Sequence, residues 1–343
     1  MGSYLNYEQN VLFLMFLKYS NSSFMFIIFI RTIMVISSSS WLTAWLSLEI
    51  NIISIIPILI NKQRFDSTSS AIKYFLIQAI ASIFLIIIVL VIYRSGIINL
   101  LNINNEIALI GLAIKSGIPP FHFWLPQVIE SINIVQMFIT MSWQKIAPFS
   151  LMRYSLSTVI ILIILARAVV GALGGFNQNS LKKILVYSSI THGAWIMSAI
   201  ILKSGLWIVY FTIYNIRLYI MCLIMNKLNV GYISEMNNSL TEASNKLVFM
   251  TNLISMSGLP PFLGFAAKFL VLKTSMIYYI VPLIIFLLIM SFLSVFYYLK
   301  ICFSSFLMNE KQIFKVKKSM GHSYIIVLTA IRNISIPIMV YIA

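Results

Sequence analysis

The sequence predicts an all-α membrane protein. Of its 343 residues, 60% are hydrophobic and only 9% are charged, and the mean hydropathy is +0.97, which is far from the composition of a soluble domain. Apolar runs long enough to cross a bilayer recur along the whole chain. The hexapeptide Ser-Gly-x-Pro-Pro-Phe occurs twice, at 116–121 and 257–262. The connections between the apolar runs are short, so we expect a single transmembrane domain over 1–343.

Counting runs of about 20 apolar residues gives about eleven transmembrane helices, at 11–36, 41–60, 69–93, 107–130, 132–153, 157–176, 183–202, 206–226, 246–272, 277–303 and 323–342. The repeated hexapeptide lies in the fourth and ninth spans. An offset of five spans is odd, so the two copies enter the membrane in opposite directions. We therefore expect two inverted five-helix repeats, 11–153 and 157–303, of the kind that places a binding site near the bilayer midplane. One C-terminal helix, 323–342, follows them.

Each copy of the hexapeptide predicts a broken helix. Proline has no backbone N–H, so Pro119–Pro120 frees the carbonyl of Lys115 to hold water, and Pro260–Pro261 frees the carbonyls at 256–257. At membrane depth such a break is tolerated only where it is buried in protein or lines a wet cavity. Transporters place ion sites at interrupted helices of this kind. A lysine lies beside each break, Lys115 at the first and Lys268 at the second.

Two further charged residues are predicted near the middle of a span. Glu49 lies close to the midpoint of the second span, and Lys145 is about eight residues, or about 12 Å, from the nearer end of the fifth. A charge at this depth is expensive and indicates a functional site. Gln136, Thr140 and Gln144 lead to Lys145 at four-residue spacing, which indicates a hydrated helix face. The alternatives are a protonated Glu49 that bonds a neighbouring helix, and a packing stripe whose Lys145 extends to the interface.

Two histidines are candidate proton relays, since an unperturbed imidazole titrates at about pH 6.5. His122 follows the first proline pair, beside the predicted wet break. His192 shares a helix face with Ser188 and Ser189, and this cluster of hydroxyls and imidazole is suited to ordering water. The alternative for His122 is a hydrogen-bonded core residue. For His192 the alternative is hydrogen bonding from helix to helix.

The net charge of +16 would suggest a nucleic-acid partner in a soluble protein. Here the basic residues are dispersed among loops and helix ends, without a basic patch or an aromatic stacking module, so we expect no nucleic acid. With eleven spans, most of the lysine and arginine found in loops lies on the N-terminal side of the membrane, at Lys62, Arg64, Lys182, Lys183, Lys227, Lys246, Lys311, Lys315, Lys317 and Lys318. The positive-inside rule then places the N-terminus inside and the C-terminus outside.

The sequence predicts no metal or redox centre in this chain. Cys222 and Cys302 each lie alone inside an apolar run, so neither a disulfide framework nor a cysteine metal site can be built from them. Arginines also lie within predicted spans, among them Arg31, Arg167 and Arg217. Arg31 is close enough to a span end to extend to the interface, whereas the sequence offers Arg217 no partner.

Several motifs together resemble one known family. They lie at 46–51 (Leu-Ser-Leu-Glu-Ile-Asn), 71–78, 115–124 (Lys-Ser-Gly-Ile-Pro-Pro-Phe-His-Phe-Trp), 143–148 (Trp-Gln-Lys-Ile-Ala-Pro), 177–185, 187–192 and 258–265. The stretch from Ser40 to Lys273 resembles the subunit 2 family of mitochondrial NADH dehydrogenase (ubiquinone), which are antiporter-like membrane subunits of respiratory complex I. The resemblance implies the animal form with eleven helices, a number that agrees with the span count.

The resemblance also implies a proton path. In it Glu49 pairs with Lys115, Lys145 is the central lysine, and Lys268 leads towards a neighbouring subunit. The chain would be a proton-translocating subunit of NADH:ubiquinone reductase, driven by quinone reduction elsewhere in the complex. Glu49 and Lys115 would titrate jointly and act as a switch.

Cofactors, partners and location follow from the same resemblance. This chain would hold no cofactor, with NADH, FMN, iron–sulfur clusters and ubiquinone bound elsewhere in the complex. Its partners would be other core membrane subunits, including neighbouring antiporter-like ones, accessory subunits and membrane lipids. It would span the mitochondrial inner membrane with its N-terminus in the matrix and its C-terminus in the intermembrane space, and the lack of a transit peptide before the first span suggests synthesis within the organelle.

Two other functions compete with this one. A stand-alone cation/proton antiporter would use the inverted repeat and the lysines equally well. A structural spacer that has lost pumping is disfavoured, because four charges at membrane depth are costly to keep.

Overall fold

The computed structural model describes residues 22–60, 65–95, 101–202, 205–228, 230–235, 243–260, 262–277 and 281–307. Across these ranges the chain is helical, and their only β pairing is an isolated bridge between Ser180 and Tyr232. Five of the described helices are long and apolar enough to cross a membrane. The chain is therefore an all-helical, multi-pass membrane protein. The predicted span 323–342 and the start of the first span, 11–21, lie outside the described residues.

The described helices follow the predicted spans in order. They are α1 (Ser22–Ser37), α2 (Trp41–Leu59), α3 (Phe65–Ser95), α4 (Leu101–Ser116), α5 (Trp124–Ser131), α6 (Ile134–Met141), α7 (Trp143–Met152), α8 (Val159–Gly174), α9 (Leu181–Ile201), α10 (Leu206–Leu228), α11 (Ala243–Ser257), α12 (Leu263–Ile277) and α13 (Val281–Leu307).

Both predicted helix breaks are confirmed. The fourth span is interrupted between α4 and α5, and the ninth between α11 and α12. In each break the residue directly after the helix is a glycine in the left-handed region, Gly117 with φ +67° and Gly258 with φ +79°. Glycine adopts this conformation without steric cost. Each helix therefore ends at the glycine, two residues before the proline pair prevents further helical bonding.

The fifth span contains an interruption that the sequence analysis missed. The span predicted over 132–153 divides into α6 and α7 at Ser142, whose backbone has φ −105° and ψ −74°. The Ser142 hydroxyl and its backbone N–H both bind the Phe138 carbonyl, and serine bonds of this type bend helices. Pro148 inside α7 also leaves the Gln144 carbonyl without its helical donor.

The chain folds into two compact units. The first contains the described residues of 1–116 and 144–157. In it α3 packs against α2 and α4, and Gly111 of α4 permits a close approach, because a Cβ there would lie 3.2 Å from the Ala81 carbonyl oxygen. Large apolar side chains such as Ile33, Ile53 and Leu90 are exposed, as expected for a surface that meets lipid tails.

The second unit contains the described residues of 117–143 and 158–343. Its central helix is α9, which contacts α5, α8, α10, α12 and α13 and has 89% of the residues of its apolar 18-residue stretch buried. Gly171 lets α8 approach α9, since a Cβ there would lie only 2.6 Å from Thr191 Cγ2. Lys183 forms an ion pair with Glu130 at 2.7 Å, which joins the start of α9 to the end of α5.

Candidate functional site

Lys115 lies in the last turn of α4, directly before the first break. Its side chain is 6% exposed, and its Nζ has no hydrogen-bond partner among the described residues. Its backbone carbonyl, which loses its helical donor because of Pro119, accepts from Gln78 Nε2 of α3 at 3.2 Å. The sequence predicts the freed carbonyl, but it does not indicate that an amide of α3 binds it.

A polar cavity lies beside Lys115 in the first unit. Its lining contains the Lys115 side chain, three amides and a phenol, together with apolar groups of α2 and α7: Leu48, Asn51, Ile52, Tyr74, Gln78, Lys115, Gln144 and Pro148. The space open to the centre of a water molecule is about 10 Å³, about the lower limit for holding one water. A buried polar cavity of this size is suited to one ordered water that bonds the lysine.

Glu49 and Lys115 lie in the same unit, on α2 and α4. Glu49 is half-buried and interacts electrostatically with Lys115. Within the described part of the chain the two side chains do not form an ion pair at 4.0 Å or less. The carboxylate is therefore a charged neighbour of Lys115, and a water or a small helix movement is needed to connect the two groups.

Lys145 belongs to the same unit and lies in the first turn of α7. It is 3% exposed, so it does not extend to the interface in the way that the alternative interpretation required. The residue before it, Gln144, lines the cavity that contains Lys115. The structure thus brings Glu49, Lys115 and Lys145 into one unit.

Lys268 lies in the second unit, on α12 after the second break. Its Nζ donates to the Ser257 carbonyl at 2.7 Å and lies 5.8 Å from the centre of the Trp195 ring. Ser257 is the last residue of α11, and the prolines free its carbonyl as predicted. The negative end of a helix dipole and an aromatic face both favour an ammonium, whereas the Arg217 guanidinium opposes it.

His192 bonds the other carbonyl that the second proline pair frees. Its Nε2 lies 3.0 Å from the Met256 carbonyl oxygen, and its Nδ1 lies 2.9 Å from the Tyr210 hydroxyl. A carbonyl only accepts, so Nε2 carries the proton, and in the neutral ring Nδ1 accepts from the tyrosine. These bonds join α9 to α10 and α11, which is the helix-to-helix alternative that the sequence left open.

His122 has a local bonding pattern within the first break. Its Nδ1 lies 3.3 Å from the Pro120 carbonyl oxygen, and its ring lies against Phe123 with the centroids 4.2 Å apart and the ring planes tilted by 34°. The side chain is 7% exposed. This geometry favours the interpretation of His122 as a hydrogen-bonded core residue.

Arg217 of α10 binds the second break, a contact that the sequence did not reveal. Its side chain is 1% exposed, and its Nη1 donates to the Ser255 carbonyl at 2.7 Å. Together with His192 and Lys268, it gives three successive carbonyls at the end of α11 a side-chain donor. The only sequence signal is Gly264, where a Cβ would overlap both the Ser255 carbonyl and the guanidinium.

The sequence matches the model of a known family. The family model described as NADH:quinone oxidoreductase/Mrp antiporter, TM, matches residues 38–294. The chain belongs to this family. All four candidate proton-path residues of this family member, Glu49, Lys115, Lys145 and Lys268, lie inside the matched range.

Relatives with similar sequences extend the match to most of the chain. NADH-ubiquinone oxidoreductase chain 2 of Anopheles gambiae is 36% identical over 302 residues, which cover 86% of this chain and 88% of the relative. The protein of the same name from Locusta migratoria is 35% identical over 304 residues, with the same coverage of both chains.

Solved structures share the fold at lower sequence identity. A chain of respiratory complex I from Thermus thermophilus has a TM-score of 0.79 and 19% identity, and the match covers 93% of this chain and 78% of that one. A chain of the Mrp complex from Dietzia sp. has a TM-score of 0.70 and 16% identity, covering 86% of this chain and 61% of that one. At these identities the likeness shows a common fold, and function must be argued from the site.

Proposed function

We propose that this family member is a proton-translocating membrane subunit of NADH:ubiquinone oxidoreductase, respiratory complex I, in the mitochondrial inner membrane. The name of its relatives and the complex I fold support this assignment. The observation that carries the proton role is a buried lysine at each of two helix breaks, Lys115 beside a polar cavity and Lys268 on a freed carbonyl.

The proposed path runs from Glu49 and Lys115 to Lys145 and on to Lys268. Burial disfavours an ammonium, whereas a carboxylate or carbonyl nearby favours it, so the movement of one neighbour changes proton affinity. Each pKa unit is about 1.36 kcal/mol. Moving a charge against the membrane potential costs about 2.3 kcal/mol per 100 mV. Rearrangement of a few buried neighbours is therefore on the energetic scale that pumping needs.

His122 and His192 are secondary candidates in this path. The bonds from His192 to Tyr210 and to the Met256 carbonyl place its imidazole next to the carbonyl that holds Lys268. A proton on Nδ1 would require the tyrosine to accept instead of donate. His192 is therefore the stronger relay candidate, and we expect His122 to act mainly through the shape of the break.

The remaining proposals concern the assembly. Quinone reduction elsewhere in the complex would drive the protons, and NADH, FMN, iron–sulfur clusters and ubiquinone would bind outside this chain. Neighbouring antiporter-like subunits, other core membrane subunits, accessory subunits and lipids would contact it. We also propose the full arrangement of eleven helices in two inverted repeats, with the N-terminus in the matrix and the C-terminus in the intermembrane space. The repeated Gly-x-Pro-Pro break supports the repeats.

Substitution of Lys145 tests the proposed path directly. In the assembled complex, we expect Lys145→Ala to lower proton pumping at least tenfold, about 1.4 kcal/mol in barrier height, because the central ammonium is lost. Quinone reduction coupled to pumping should fall with it. Pumping is measured in proteoliposomes that contain the purified complex.

A matched control uses an exposed lysine of the same unit. Lys73 of α3 is exposed, so Lys73→Ala should leave pumping unchanged. Normal pumping by an assembled Lys145→Ala complex would contradict the path.

A stand-alone cation/proton antiporter is the second candidate function, favoured by the fold shared with the Mrp complex. The two candidates differ in whether the isolated chain exchanges cations for protons.

A further inference from the structure

The Asn51 and Gln144 side chains form a reciprocal amide pair in the first unit. Asn51 Nδ2 donates to Gln144 Oε1 at 3.0 Å, and Gln144 Nε2 donates to Asn51 Oδ1 at 3.3 Å. Both bonds run between α2 and α7. Each amide thus satisfies one donor and one acceptor of the other, and these bonds link the two helices directly.

This pair forms part of the wall of the cavity that contains Lys115. The Lys115 Nζ is buried and has no hydrogen-bond partner within the described residues, although an ammonium has three donors to satisfy. The cavity has room for about one water. Gln144 of the pair directly precedes the buried Lys145 in α7.

We propose that the Asn51–Gln144 amide pair is a gate for the water that connects Lys115 with Lys145. When the pair is closed, its donors and acceptors bind each other and the water beside Lys115 is confined to the cavity. Separation of α2 from α7 by about the width of a water breaks both bonds. It then exposes two amide donors and two amide acceptors, which can bind a continuing water chain.

Local structure indicates which helix moves. The interruption at Ser142 and the proline at 148 flank the first turn of α7, where Gln144 lies. A short helix segment bounded by such features shifts more readily than the middle of a regular helix. Asn51, by contrast, lies in the middle of α2, a helix of 19 residues whose own proline, Pro57, is six residues farther along. We therefore place the movement on the α7 side.

The gate rests on the proposed proton function and is tested on the assembled complex in proteoliposomes. The first variant, Asn51→Leu with Gln144→Met, replaces the amides by apolar side chains of similar size. It keeps the contact between helices but removes the groups that would bind water. We expect proton pumping to fall at least tenfold while the complex still assembles.

A second variant opens the gate. Asn51→Ser with Gln144→Ser shortens both side chains, so water would occupy the space without a helix movement. We expect a proton leak, seen as decay of an imposed pH gradient at least several-fold faster than in the wild type without NADH. This measurement does not depend on assembly of the apolar variant. A gradient held as well as by the wild type would overturn the gate.

The controls separate failure of the gate from failure of the proposed function. Ser47 is buried in α2, one turn before Asn51, and its hydroxyl bonds the Thr43 carbonyl of its own helix, so Ser47→Ala should leave pumping and leak unchanged. A variant with the two amides exchanged, Asn51→Gln with Gln144→Asn, should keep a pumping rate within about twofold of the wild type. If Lys145→Ala abolishes pumping but the apolar pair pumps normally, the gate alone is wrong. If Lys145→Ala also pumps normally, the proposed function is wrong.

Discussion

Lys115 and Lys268 are both buried beside a helix break, yet their ammonium groups have different surroundings. Lys268 donates to the Ser257 carbonyl and faces Trp195. Lys115 lines a polar cavity, has no hydrogen-bond partner within the described ranges, and has Glu49 as a charged neighbour. Two directed contacts stabilise the charge on Lys268 and the Arg217 guanidinium opposes it, whereas the charge on Lys115 depends on groups that are not in contact with it. The proton affinity of both lysines therefore depends on buried neighbours.

We predict that Glu49 and Lys115 are coupled in their effect on pumping. If the two side chains act as a switch, Glu49→Gln and Lys115→Met should each lower pumping, and the double variant should be little worse than the poorer single one. We expect a coupling energy well above the scatter of about 0.3–0.5 kcal/mol seen for independent sites. The measurement is the pumping rate of the four assembled complexes.

Glu106 provides the control for this cycle. It is half-buried on α4 like Glu49 on α2, but it lies nine residues before Lys115, about 13 Å along the helix. The pair Glu106→Gln and Lys115→Met should therefore be additive. Equal coupling in both cycles would show that the effect is general destabilisation, which contradicts the switch.

The broken helices show which features of the fold the sequence could predict and which it could not. A missing N–H is a property of proline itself, so both breaks and the freed carbonyls were predictable. The interruption at Ser142 depends on a side chain turning back to the Phe138 carbonyl, which many serines in helices do not do. The partners of the freed carbonyls, Gln78 and His192 among them, depend on which helix faces meet. A single sequence does not contain that information.

The second break is closely packed around Gly264. Gly264, in the first turn of α12, has no room for a Cβ, which would overlap the Ser255 carbonyl at the end of α11 and the Arg217 guanidinium. Gly264→Ala should force these groups apart at a cost of about 1–3 kcal/mol, as for other overpacked cores. We expect a lower apparent melting temperature of the purified complex.

Gly205→Ala is the matched control, because no described atom lies within 4 Å of a Cβ at that position. Its melting temperature should equal that of the wild type. If Gly264→Ala does not lower the melting temperature either, the close contact of Gly264 with Ser255 and Arg217 does not constrain the break.

The whole molecule decides between a subunit and an independent antiporter. Both functions are compatible with an all-helical fold that has buried lysines at two breaks. The family match supports the subunit, since the relatives are named as chains of one oxidoreductase and cover most of this chain. In the proposed function the switch is driven from outside, so we expect protons to move only when a neighbour changes the surroundings of Lys115.

We therefore expect the isolated chain to be inactive. Reconstituted alone into vesicles with a sodium, potassium or pH gradient, it should exchange cations for protons no faster than empty vesicles. The complete complex should pump protons with NADH and ubiquinone, and lose this activity with Lys145→Ala. A folding control is needed, because an unfolded chain would also be inactive. Helicity by circular dichroism and resistance of α9, the most buried helix, to hydrogen exchange provide it. Cation-dependent proton exchange by the folded, isolated chain, abolished by Lys145→Ala, would establish the antiporter and exclude the subunit as its only role.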